Sequence, residues 1–143
     1  MSLPDYVERR ADILAEMFLR DLNPKFLAQA SFQGAVWDYM VAFQTTGGKL
    51  IHVAVQVRAT EQPFSAKFTF AALPQQVNQF LKSNLPVLIL IVDVKTKSYA
   101  WNWASNAKIV KDPHLKGHAL IQVPVITDEH GARGKLLADI KLM

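Results

Sequence analysis

The chain has 143 residues, half of them hydrophobic and a fifth charged, with a formal net charge of +4 and no cysteine. That is apolar material for one cored domain spanning residues 1–143, and the missing thiols exclude disulfides, cysteine-zinc sites and a cysteine nucleophile. The mild positive charge is compatible with a polyanionic partner but does not require one.

The longest apolar run, residues 86–92, is far short of the roughly 20 residues that cross a bilayer. The first residues, MSLPDYVERRADILAEMF, lack the apolar stretch of a secretory signal. The expectation is a soluble cytoplasmic protein with no membrane contact.

Residues 4–22 predict a helix. Val7, Ala11, Leu14, Phe18 and Leu22 recur every three or four positions with Met17 beside them, Pro4 suits the first turn, and Asn23-Pro24 closes it. Residues 25–34 read as a loop or short extended piece. Residues 35–44 predict a strand with Trp37, Tyr39, Val41 and Phe43 on one face and Asp38, Met40 and Ala42 on the other. Thr45-Thr46-Gly47-Gly48 is a hairpin turn, because glycine adopts positive φ at little cost. Residues 49–59 predict the return strand, with Ile51, Val53, Val55 and Val57 opposite a face of His52, Ala54, Gln56 and Arg58.

Folding this ribbon symmetrically about Gly47 sets Asp38 opposite Gln56. Gln56 and Arg58 point the same way, about 7 Å apart along the strand. An acid facing a Gln-x-Arg pair could be a metal and phosphate site, or Asp38 could form a structural ion pair with Arg58.

Residues 64–70 alternate again and predict a third strand, with Lys67 on its polar face. Residues 71–83 turn helical on Leu73, Val77 and Leu81. Residues 86–94, PVLILIVDV, predict a central strand covered on both faces. Residues 98–103 alternate Tyr99, Trp101 and Trp103 in a neighbouring strand; the tryptophans could stack bases, though core packing is the simpler reading. Residues 104–118 read mostly as loop. His114 and His118 are four apart, but Pro113 and Gly117 argue against the helix a zinc pair would need. Residues 119–126 predict a short edge strand, where Pro124 is tolerated, and residues 134–142 a terminal helix on Leu136, Leu137 and Ile140. The order is α-β-β-β-α-β-β plus a C-terminal tail, a mixed α/β sandwich.

This order, with an acid on the hairpin and Gln-x-basic on its return strand, resembles the PD-(D/E)XK nuclease superfamily, and within it the family catalogued as domain of unknown function 4365. The matching segments are residues 10–18; Trp37-Asp38, where the family usually has Gly-hydrophobic-Asp; Gln56-Val57-Arg58-Ala59-Thr60, where it has Gln-Val-Lys; NLPVLILIVD from Asn84; and residues 99–103. The likeness spans roughly residues 8–126.

The resemblance implies a restriction-endonuclease-like mixed central sheet flanked by helices, and metal-dependent hydrolysis of DNA or RNA phosphodiesters. Its implied site is Asp38 and Gln56 as ligands of Mg²⁺, with Mn²⁺ as a substitute, Arg58 on the phosphate, and Glu16 from the first helix joining the metal, with Glu8 as the runner-up. The implied partner is nucleic acid, DNA before RNA, and exposed aromatic residues suggest a homodimer. Arg58 departs from the family's lysine: it keeps the charge and can grip a phosphate through two N–H groups, but it cannot release a proton at neutral pH. Lys67 is a candidate to supply the missing lysine from another strand. The alternative expectation is a catalytically inactive relative that binds nucleic acid or a protein partner.

Overall fold

A computed structural model of the chain describes residues 5–30, 37–110 and 119–143. It is a mixed α/β arrangement of two sheets and three helices. The first helix, α1 (Asp5–Asp21), buries Val7, Ala11, Leu14, Ala15, Phe18 and Leu19 along one stripe, which Leu22 just beyond it extends. Met17, expected beside that stripe, faces solvent instead. One residue per turn cannot follow a stripe that drifts around the cylinder, and Ala15 and Leu19 take the inward positions.

After the turn at Asn23, where φ is positive, the chain enters β1 (Phe26–Gln29). The hairpin follows as β2 (Tyr39–Gln44) and β3 (Leu50–Thr60), antiparallel, with Tyr39 opposite Val55 and Gln44 opposite Leu50. This register is the one expected from folding about Gly47. Gly48 has φ +84°, which makes glycine the fitting residue there.

The predicted third strand forms later, as β4 (Lys67–Ala72), and does not join the hairpin's sheet. It pairs with β8 (Ala119–Pro124), which pairs in turn with β7 (Lys108–Val110), to make a small antiparallel sheet. Residues 108–110, expected as loop, are therefore a strand. Residues 119–124, expected as an edge, are the middle strand of that sheet. Pro124 is accommodated at the strand's last position, where its carbonyl accepts the Asn102 Nδ2–H at 2.9 Å.

Helix α2 (Pro74–Leu81) carries the chain back to β5 (Val87–Asp93), which lies parallel to β3. Every residue of β5 is buried, as its unbroken apolar run requires of a strand covered on both faces. β6 (Ser98–Trp103) and the two-residue β9 (Ile126–Thr127) complete a six-stranded mixed sheet in the order β1-β2-β3-β5-β6-β9. Helix α3 (Ala132–Lys141) closes the chain.

Alternation along β3 and β5 feeds two cores. Val53, Val55, Leu88, Leu90 and Val92 pack with α1 and α3. Ala54, Ile89 and Ile91 pack with Phe70, Val77, Ile121 and Val123 of α2 and the small sheet. Trp101 is 2% exposed and stacks at 5.2 Å on Phe18, so it serves the first core and is not a base-stacking platform. Among the described residues no helix is long and apolar enough to cross a membrane.

Candidate functional site

Asp38 sits where β2 meets the end of its ladder. Its backbone is held from both sides: its N–H donates to the Val55 carbonyl at 2.9 Å, and its own carbonyl accepts the Ala30 N–H at 2.9 Å. β2 stops pairing at Tyr39 while β3 runs on, which leaves the Val57 N–H without a strand partner. The Asp38 carboxylate takes that proton, Oδ2 accepting it at 2.7 Å. Oδ1 accepts no hydrogen bond among the described residues. Burial pushes the Asp38 carboxyl above its ordinary range; the Val57 N–H and the Arg58 charge pull it back, and Glu8 adds to the rise.

The ladder of β2 and β3 ends with Tyr39 opposite Val55, and the Asp38 N–H bonds to that same Val55 carbonyl, so the expected pairing of Asp38 with Gln56 lies beyond the observed register. Gln56 and Arg58 lie on the face of β3 that carries Ala54, flanked on β5 by Ile89 and Ile91, both fully buried. In those apolar surroundings two polar atoms have no hydrogen-bond partner: Gln56 Oε1, an acceptor, and Arg58 Nε, a donor. The Arg58 guanidinium stacks over the Phe70 ring with Cζ 4.3 Å from its centroid, an interaction of about 1 kcal/mol. Burial lowers the Arg58 pKa, and Asp38 and Glu8 oppose that. Arg58 and Asp38 make no ion pair within 4.0 Å. The structural reading of the two as a closed salt bridge is therefore not what the chain adopts.

The helix acids that act on this end of the hairpin are Asp12 and Glu8. The Asp12 carboxyl is raised from 3.8 to about 6, first by burial, then by the charges of Asp38 and Glu8. Asp12 escaped the sequence reading. Its signal was its position four residues from both Glu8 and Glu16, which makes an acidic row on one flank of α1. Glu16 is paired with Arg20 at 3.4 Å on the exposed surface, and its charge is felt at the Tyr39 hydroxyl, which donates to the Asp12 carbonyl at 3.1 Å. These acids act through space and not as a finished coordination sphere. Among the described residues no three His, Asp or Glu side chains are placed together to hold a metal ion.

No family model, curated protein or solved structure matches the chain. The site therefore stands on its own geometry.

Other candidates lie elsewhere. Lys67 is on the outward face of β4, alternating with Phe68 and Phe70, so it points away from Arg58. His52 is exposed on β3 two residues from Ala54. His114 and His118 lie outside the described residues. What the arrangement offers chemically is an unshared carboxylate oxygen, a buried amide oxygen and a buried guanidinium N–H at one end of a hairpin. The oxygens suit a hard cation, and the N–H suits an anion.

Proposed function

We propose that this chain is a nuclease-like protein with a restriction-endonuclease-like core that hydrolyses phosphodiester bonds in DNA or RNA with the help of Mg²⁺ or Mn²⁺. The observation that carries the reading is the pair of buried atoms of opposite kind without a hydrogen-bond partner among the described residues, Gln56 Oε1 and Arg58 Nε, with the Asp38 charge acting on Arg58. Native proteins leave few buried polar groups unpaired, and each one asks for a reason. A bound cation would supply one for the amide oxygen, and a phosphate one for the guanidinium.

The donor set fits the metal. Mg²⁺ takes oxygen ligands and keeps several of its waters, so one carboxylate and one amide oxygen are within its habits. Asp38 and Gln56 would hold it, and a carboxylate from α1 (Glu16 in the family pattern, Asp12 or Glu8 by their effect on Asp38) would add negative charge toward it. The bound ion supplies an acidified water and neutralises charge on the phosphate. Arg58 keeps its proton and so acts as a phosphate clamp, held in place by Phe70. The Val57 N–H holds Oδ2 of the Asp38 carboxylate and leaves Oδ1 without a hydrogen bond among the described residues.

A second reading is an inactive nuclease-fold protein that binds nucleic acid or a protein partner. Two observations favour it: an arginine stacked on Phe70 where the pattern has lysine, and no three-residue set of acids or histidines placed for a metal among the described residues.

The deciding experiment compares the parent with Asp38→Ala for Mg²⁺- or Mn²⁺-dependent cleavage of single- and double-stranded DNA and RNA. Parent activity that the variant lacks is expected; equal background from both removes the enzyme. Gln56→Met separates metal from fold: it removes a buried unpaired acceptor, so it should melt higher by about 1 kcal/mol of stability while losing any metal-induced rise in melting temperature. A metal response that survives in Gln56→Met would take Gln56 out of the site.

A further inference from the structure

The outer face of α1 is the least explained surface of the molecule. Tyr6, Ile13 and Met17 are 69%, 63% and 56% exposed, and their spacing of seven and four places all three on one stripe opposite the buried one. Arg10 and Arg20 continue the stripe at three- and four-residue steps, giving a heptad-like row over positions 6, 10, 13, 17 and 20. Arg9 and Glu16, seven residues apart, share one flank of the row. Among the described residues nothing covers these apolar side chains displayed at coiled-coil spacing.

From this we infer that α1 pairs antiparallel with α1 of a second copy of the chain, about a two-fold axis beside Ile13. The charges select that occupant. In an antiparallel pair the same flanks face each other, so Arg9 of each copy meets Glu16 of the other, twice, by symmetry. A parallel pair would set Arg10 against Arg10 and Arg20 against Arg20 along the seam. An anionic membrane would attract Arg9, Arg10 and Arg20 but repel Glu16, which sits on the same flank. The Arg20–Glu16 pair within the monomer is exposed, Arg20 at 64% and Glu16 at 40% of the side chain, so it is weak and readily exchanged for a partner across the axis. Tyr6 lies opposite Arg20 of the other copy in this register, a further stacking contact. The inference does not depend on the cleavage reading, and its readout is molecular mass, not activity.

The test is sedimentation equilibrium of the full chain. A concentration-dependent monomer–dimer equilibrium is expected. Ile13→Cys, the one thiol in the chain, should give a covalent dimer on air oxidation. Arg9→Glu and Glu16→Arg should each raise the dimer dissociation constant about tenfold, because two attractions become two repulsions. Combining them should restore it to within about threefold of the parent. These positions are solvent-facing, so unchanged circular dichroism verifies the fold. A monomer at every concentration, a dimer indifferent to both charge reversals, or a monomer that binds anionic vesicles would each overturn the proposal.

Discussion

Asp12 is the residue whose chemistry is most exposed to test. Its carboxyl holds a proton up to about pH 6 in the folded chain against 3.8 ordinarily. Between those values the folded state binds more protons than the unfolded one, so stability falls as pH rises from about 4 to about 6 and stays reduced above. Asp12→Asn removes this burden. The variant should match the parent near pH 4 and exceed it by about 1 kcal/mol at pH 7, a figure discounted for partial exposure. Urea unfolding between pH 4 and pH 8 measures it, and parallel curves for the two proteins would mean that Asp12 carries no strain. The hairpin register from Tyr39 to Gln44 was legible in the sequence because a tight glycine turn fixes register by counting. Asp12 was not: its meaning depends on where α1 lands on the sheet, and helical periodicity tells only which face is buried.

The central strand β5 was the most legible element, because seven consecutive buried residues admit no amphipathic alternative. It also divides the labour between the two cores. Leu88 and Leu90 face α1, while Ile89 and Ile91 face the small sheet. Leu90 is fully buried, so Leu90→Ala should cost about 3 kcal/mol in denaturant unfolding, through lost transfer energy and the cavity left behind. A cost below 1 kcal/mol would mean that α1 collapses onto the gap. β4 was legible as a strand and not as a member of a second sheet. Its alternation of Phe68 and Phe70 with Lys67 and Thr69 fits any half-buried sheet, and its partner β8 lies some fifty residues on. Local pattern fixes the kind of element; the pairing partner is settled by long-range packing, which also moved residues 119–124 from edge to centre.

At the scale of the molecule, the disposition of charge separates the functional readings. Among the described residues, Arg20 is neutralised by Glu16, and Arg133 by Asp128 and Asp21. Among the same residues, Arg58 has no carboxylate within ion-pair reach, and its Nε has no acceptor. Under the proposed function it is the cation that would receive a phosphate, partly desolvated and stacked on Phe70. Binding of an oligonucleotide releases counterions in proportion to the phosphates neutralised, with a slope of about −0.9 per contact for duplex DNA in log affinity against log salt. A small footprint on one end of the hairpin predicts a total slope of about −2 to −4. Arg58→Met keeps the packing on Phe70 and removes the charge, so it should reduce that slope by about one unit and weaken all sequences alike. The same loss is expected under the catalytic reading and under the inactive reading that binds nucleic acid, because both put nucleic acid on Arg58, whereas an inactive protein with a protein partner predicts no such change. An unchanged slope in Arg58→Met, measured by fluorescence anisotropy from 50 to 300 mM salt, would move any phosphate contact to the surface lysines, and with it the case for this end of the hairpin as the site.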